Sequence, residues 1–107
     1  MFYVECRING KLLKFLIDTG SALTIVPKSF ASNIEPSHLR LSAANGSTIK
    51  NFGETKLDIV VRKFRRDFPW RCVVADVITP IIGSDFLAHY GLIIDLKNKK
   101  LVDCMKS

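Results

Sequence analysis

Residues 16–27 read LIDTGSALTIVP, and a single carboxylate, Asp18, stands there between an apolar run and three small residues before a second apolar run. Burying a charged group is costly unless it is paired or hydrogen-bonded, so an acid in this setting needs a local reason. Asp18 follows KFLI directly and so emerges at the end of a buried strand. Thr19 can hydrogen-bond to backbone, Gly20 lets the chain turn sharply with nothing blocking the carboxylate, and Ser21 can donate to a carboxylate oxygen. An Asx turn at a strand end is the plainer alternative. Apolar residues on both flanks favour a built acid site, because turns without buried flanks are polar on both sides.

Outward from this loop the pattern is mostly β. Residues 2–8, FYVECRI, alternate and lead into Asn9-Gly10, two residues that tolerate positive φ and mark a hairpin. Residues 11–18 return as the partner strand, and residues 22–27, ALTIVP, form a short strand ended by Pro27. Residues 28–37 read as a loop with one helical turn. A second hairpin signal, Asn45-Gly46, has polar and small flanks, so this hairpin projects from the body. Two longer strands follow at residues 54–64 and 67–77, with a basic turn between them. Ser84 as N-cap and Gly91 as C-terminal stop bound a short helix over residues 85–90. Residues 92–96 and 100–104 form a last hairpin. The expected architecture is one all-β domain over residues 1–107, a closed, mainly antiparallel sheet with one short C-terminal helix.

The 107 residues, 48% apolar and 24% charged, are those of one ordinary globular domain. No apolar run approaches the ~20 residues of a spanning helix, and no signal peptide is visible at the N-terminus. Cys6, Cys72 and Cys104 are odd in number and lack CxxC spacing, which favours free thiols in a reducing compartment. His38 and His89 lack ligands at metal spacing, so neither a metal nor a cofactor is expected. The formal net charge is +6, and residues 62–71, RKFRRDFPWR, mix five basic residues with three aromatics. Such a patch suits nucleic acid or keeps a hairpin tip soluble. The absence of an RNA-binding signature favours the second use.

FLIDTGSALTIVP resembles the active-site segment of retropepsin-type aspartic proteases, and PIIGSDFLAHYGLIIDL resembles their second signature, two apolar residues and Gly before a short helix. With AANGSTI between them, the order over nearly the whole chain is most similar to proteases of Gypsy-type LTR retrotransposon polyproteins. That resemblance implies an aspartic endopeptidase acting on extended polypeptide during polyprotein maturation, in the cytoplasm or within intracellular retroelement particles. It also implies that the domain is an excerpt of a larger polyprotein.

Aspartic proteolysis needs two carboxylates around one water, one ionised and one protonated. Asp76, Asp85, Asp95 and Asp103 lack a following Gly, so the chain holds one such acid, and a symmetric homodimer would supply the other. By the resemblance, Asp18, Thr19 and Gly20 are catalytic, with Thr19 tying the two loops together and Gly20 offering its carbonyl to substrate. Ser21, Ala22 and Leu23 begin the subsite wall. Ala44, Asn45, Gly46, Ser47 and Thr48 form a flap over the peptide, and Ile81 and Ile82 lie at the catalytic floor, Ile81 lining a pocket. Gly83-Ser84-Asp85 departs from the Gly-Arg-Asp of retroviral members, whose Arg makes a buried ion pair that supports dimerisation. The C-terminal strands are either a dimer interface or an internal hairpin. A catalytically silent, domesticated peptide-binding or dimerisation module is the second functional reading. Nucleic acid enters only through a neighbouring polyprotein segment or the basic patch, and no membrane partner is expected.

Overall fold

In the computed structural model, which describes residues 2–31, 33–36, 41–42 and 46–103, the first hairpin forms as its turn chemistry dictates. Tyr3–Ile8 (β1) pairs antiparallel with Lys11–Ile17 (β2), from Tyr3 opposite Leu16 to Ile8 opposite Lys11. Asn9 and Gly10 take φ of 52° and 79°, the two positive values that a two-residue turn matching strand twist requires. Ile25–Pro27 (β3) then runs into a single 3-10 turn, Lys28–Phe30. Leu41–Ser42 (β4) pairs with Thr48–Ile49 (β5).

The longest strands, Asn51–Val61 (β6) and Arg66–Ala75 (β7), pair antiparallel with a bulge between Asn51 and Gly53. Along β6, Gly53, Thr55, Leu57, Ile59 and Val61 are buried while Lys56 and Asp58 are exposed, the period of two of a half-buried strand. Residues 62–64, expected as strand, belong instead to the turn, where Arg65 adopts φ 53°. Pro69 sits in β7 opposite Asp58, and the next strand on that side, β3, pairs only with Val73–Ala75. The Pro thus lies where no neighbour needs its missing N–H.

Ile81–Ile82 (β8), the helix Ser84–Tyr90 (α1), and the hairpin of Leu92–Asp95 (β9) with Lys100–Asp103 (β10) complete the chain. Six strands close a barrel in the order β1-β2-β8-β3-β7-β6, with Arg7 opposite Val60 closing the ring. Two pairings are parallel, β2 with β8 and β3 with β7, whereas the local patterns pointed only to antiparallel hairpins. The C-terminal strands form their own two-stranded sheet within the chain. Cys104 lies outside the described residues.

Phe15, Phe68, Phe86, Ile59 and Ile82 are fully buried in the barrel core, each worth roughly 2–3 kcal/mol on removal from water. The helix closes one side of the barrel through aromatic contacts: Phe86 lies 5.6 Å from Phe68, and Tyr90 lies 4.9 Å from it. Gly91 ends the helix at φ 65°, as a left-handed C-terminal stop should. The N-cap is Gly83, not Ser84. The Ser84 N–H donates to the Ser21 carbonyl (2.8 Å), so the start of the helix is set by a tertiary contact and not by a capping side chain. Cys6 and Cys72 are buried and free, and burial pushes both thiols up to about 12.

Candidate active site

The loop after β2 is held by its neighbours in space. The Asp18 N–H donates to the Ile82 carbonyl (3.0 Å), and the Ser21 N–H closes the turn onto the Asp18 carbonyl (3.1 Å). The Gly20 N–H donates to Asp18 Oδ1 at 3.0 Å, fixing the carboxylate's orientation. A Cβ on Gly20 would stand 3.2 Å from that same oxygen, tighter than an ordinary van der Waals contact. The Ser21 hydroxyl donates to the Leu23 carbonyl (2.8 Å) and not to the carboxylate as expected. Asp18 is half-buried, and Thr19 and Gly20 are exposed.

The second motif braces the first. Gly83 is buried, and a Cβ there would lie 2.4 Å from the Leu23 carbonyl oxygen and 2.8 Å from that of Ser21. The glycine is required by the backbone that crosses it, since its φ of −95° is open to any residue. From the first turn of α1, Asp85 gathers four donors. Its carboxylate accepts from the Thr24 hydroxyl (2.8 Å), the Thr24 N–H (3.1 Å), Trp70 Nε1 (3.2 Å) and the Phe86 N–H (2.7 Å). Thr24 Oγ1 in turn accepts from the Gly83 N–H (3.1 Å). Thr24 is 1% exposed, so this circuit works where water does not compete. Ser84 offers no cation for the ion pair that the resemblance placed there, and Asp85 is satisfied by neutral donors instead.

Beside the loop lies a cavity of about 260 Å³ lined by Gly20, Ser21, Ala22, Leu23 and Ile25, with Leu41 and Ile49 from the β4–β5 hairpin. Ser21, Ala22 and Leu23 therefore stand where a wall was expected. Gly46, Ser47 and Thr48 are exposed on the hairpin, and Ala44 and Asn45 lie outside the described residues. Leu41 and Ile49 were not among the expected site residues, although they are the large apolar residues of an otherwise small and polar segment. Ile81 packs with Ile25, Leu41, Val73 and Ala75. The Ile82 side chain is fully buried in the barrel core, so what it presents to the loop is the carbonyl that accepts from the Asp18 N–H. The hairpin's base is pinned at the bulge: Glu35 and Glu54 exchange backbone hydrogen bonds of 2.8 Å. Gly53, at φ 127°, packs so closely that a Cβ would meet the Glu35 carbonyl at 2.2 Å.

A second cavity, about 340 Å³, adjoins the loop on its other side, lined by Phe2, Ile17, Thr19, Ile94, Leu96 and Lys99. Leu96 is 80% exposed, so an apolar surface lies next to the exposed Thr19. Among the described residues no group of three His, Cys, Asp or Glu side chains could hold a metal ion.

The family profile described as gag-polyprotein putative aspartyl protease matches residues 4–89, which include the Asp18 segment and Ile81-Ile82-Gly83. The chain belongs to this gag protease family. Its fold is that of the retropepsins. The retroviral protease-like domain of Ddi1 from Leishmania major superimposes with a TM-score of 0.72 at 24% identity, covering 97% of this chain and 88% of that one. The EIAV protease in complex with the inhibitor HBY-793 superimposes with a TM-score of 0.71 at 22% identity, covering 88% and 91%. In sequence, this gag protease family member is 27% identical over 108 residues to DNA damage-inducible protein 1 of Yarrowia lipolytica, covering 94% of the chain. The chain spans 27% of that protein's length.

Proposed function

We propose that the protein is an aspartic endopeptidase that cuts extended polypeptide as a symmetric homodimer, with retroelement polyprotein as its substrate class. The observation that carries this reading is the Asp18 loop itself: one half-buried carboxylate, oriented by the Gly20 N–H, beside an apolar-walled cavity in a chain of the gag protease family. The exposed Thr19 and the apolar surface around Leu96 support pairing of two loops across a two-fold axis.

In that dimer the two Asp18 carboxylates share one site, and like charges so close cannot both ionise cheaply, so the pair holds one proton. The ionised member takes a proton from the bound water as its oxygen attacks the scissile carbonyl carbon. The protonated member gives its proton to the carbonyl oxygen, forming a gem-diol. Collapse of the diol breaks the C–N bond: the amine leaves with a proton from one carboxyl, the other carboxylate takes a proton from a diol hydroxyl as the carbonyl re-forms, and the carboxylic acid product departs with the pair again holding one proton. Thr19 ties the loops, the Gly20 carbonyl accepts from the substrate backbone, and Ser21, Ala22, Leu23 and Ile81 shape the subsites. Residues 44–48 close over the peptide, which binds as an added strand.

A silent peptide-binding or dimerisation module is the second reading, favoured by a curated relative of which this domain makes up only a part. Incubation with an unstructured peptide library at about pH 5 separates the two. Cleavage by the wild type, inhibition by pepstatin and loss of at least 1,000-fold in Asp18→Asn are expected, on the order of removing a catalytic group. Cleavage that survives Asp18→Asn refutes the assignment. Peptide binding without cleavage at concentrations where the dimer forms establishes the second reading.

A further inference from the structure

The basic stretch at residues 62–71 does not act as one patch. Arg66 is paired with the buried Asp103 (2.7 Å), and Arg71 with Glu35 and Glu54 (3.0 and 2.9 Å). The turn residues Arg62, Lys63 and Arg65 remain on the surface, and they are joined there by cations from two distant parts of the chain. A groove of about 470 Å³ is lined by Arg62, Lys63, Arg65, Lys99 and Lys100, with Tyr3 and Glu5 of β1. A second cavity of about 370 Å³ shares Arg62 and Arg65 and adds Arg7. Six cations thus border a trough made of two adjacent cavities that share Arg62 and Arg65, and its one lining carboxylate, Glu5, already meets Arg62 at 3.4 Å.

We propose that this trough binds the phosphate backbone of single-stranded nucleic acid. Cations along a groove, and not around one pocket, match a chain of evenly spaced phosphates. Arginine guanidinium groups suit phosphate oxygens as forked donors. Lys63 is held in place by its own donation to the Leu101 carbonyl (2.7 Å), and Arg65 is aimed by its left-handed turn position, φ 53°. Tyr3, 43% exposed, offers a ring for a base to stack upon. An acidic peptide fits less well, because strand-like peptide binding uses alternate side-chain pockets and the floor residues Val61 and Leu101 are each 1% exposed. No trough residue belongs to the Asp18 loop, and of the six cations only Lys99 also lines the cavity beside Thr19.

The test is fluorescence anisotropy of a labelled single-stranded RNA oligonucleotide titrated with the whole protein over a series of salt concentrations. Affinity is expected to fall with salt at about 0.7 logarithmic units per neutralised phosphate. A quadruple variant, Arg7→Gln, Arg65→Gly, Lys99→Gln and Lys100→Gln, is expected to bind at least tenfold more weakly, with the salt slope reduced by about 2 to 3. Arg65→Gly removes the charge while keeping a residue that accepts positive φ. A matched variant, Lys11→Gln, Lys28→Gln, Lys50→Gln and Lys56→Gln, removes the same net charge outside the trough and is expected to bind within twofold of wild type. Unchanged circular dichroism and melting confirm that both variants fold. Equal weakening in both variants, tighter binding of the duplex form, or equal competition by polyglutamate of matched charge overturns the proposal.

Discussion

Replacing Thr24 by Val isolates the circuit that joins the Asp18 loop to the helix. The two side chains have the same shape, so the change removes a hydroxyl and adds no cavity. Two hydrogen bonds go with it: the donation to Asp85 Oδ1 at 2.8 Å and the acceptance from the Gly83 N–H at 3.1 Å. A bond to a charged group contributes about 1.5–3 kcal/mol, and a buried N–H left without an acceptor costs about 1–3 kcal/mol. The greater hydrophobicity of Val offsets roughly 1 kcal/mol of this, on the scale of one buried methylene. The expected loss is therefore about 1.5–5 kcal/mol, or roughly 7–22 °C in melting temperature for a domain near 100 residues. Urea and thermal denaturation at one fixed protein concentration measure it, because association of protomers would otherwise shift the midpoint. Thr24→Ser keeps the hydroxyl and is expected to lose only about 1 kcal/mol, for one buried methyl. A Val variant within 0.5 kcal/mol of wild type, or a Ser variant worse than Val, would refute the claim that the hydroxyl carries the circuit.

Gly83→Ala forces a methyl against the carbonyl oxygens of Leu23 and Ser21 and is expected to cost about 3 kcal/mol. The same denaturation series reads it, and peptide cleavage should fall further than stability alone accounts for, because the displaced atoms belong to the Asp18 loop. The thiols of Cys6 and Cys72, raised from 9.0 to about 12 by burial, are neutral in the fold. Their contribution is fully present below pH 9 and is lost as pH climbs towards 12, so the urea midpoint is expected to fall across that window. In a Cys104→Ser background, neither should react with a thiol reagent at pH 8 until urea unfolds the protein.

What was legible in the sequence was what is settled locally. Asn9-Gly10 announced its hairpin because few residue pairs accept two positive φ values, and Gly91 announced the helix end for the same reason. The alternation along β6 gave both strand and buried face. The parallel pairings were not legible, because β8 is two residues long and a dipeptide carries no period. The N-cap was misplaced because Ser84 spends its N–H on Ser21, a partner the local sequence does not display. Within the site, Asp18, Gly20 and the cavity wall at 21–23 were visible as a motif. The Thr24–Asp85 contact spans 61 positions, and its only sign was a lone hydroxyl inside an apolar strand. The trough was divided the same way: its turn was plain as a charge run, while Arg7 and Lys99 joined it only through barrel closure and the last hairpin.

The strand order has a temporal meaning. β8 lies between β2 and β3, although both of these precede it by more than fifty positions. A chain extruded only as far as Pro80 has every barrel strand but β8, and Asp18 then lacks the carbonyl that anchors its amide. The anchor of this acid is therefore supplied by a strand that follows the others of the barrel in the chain, so Asp18 stays unbraced until residues 81–82 have emerged and folded into place.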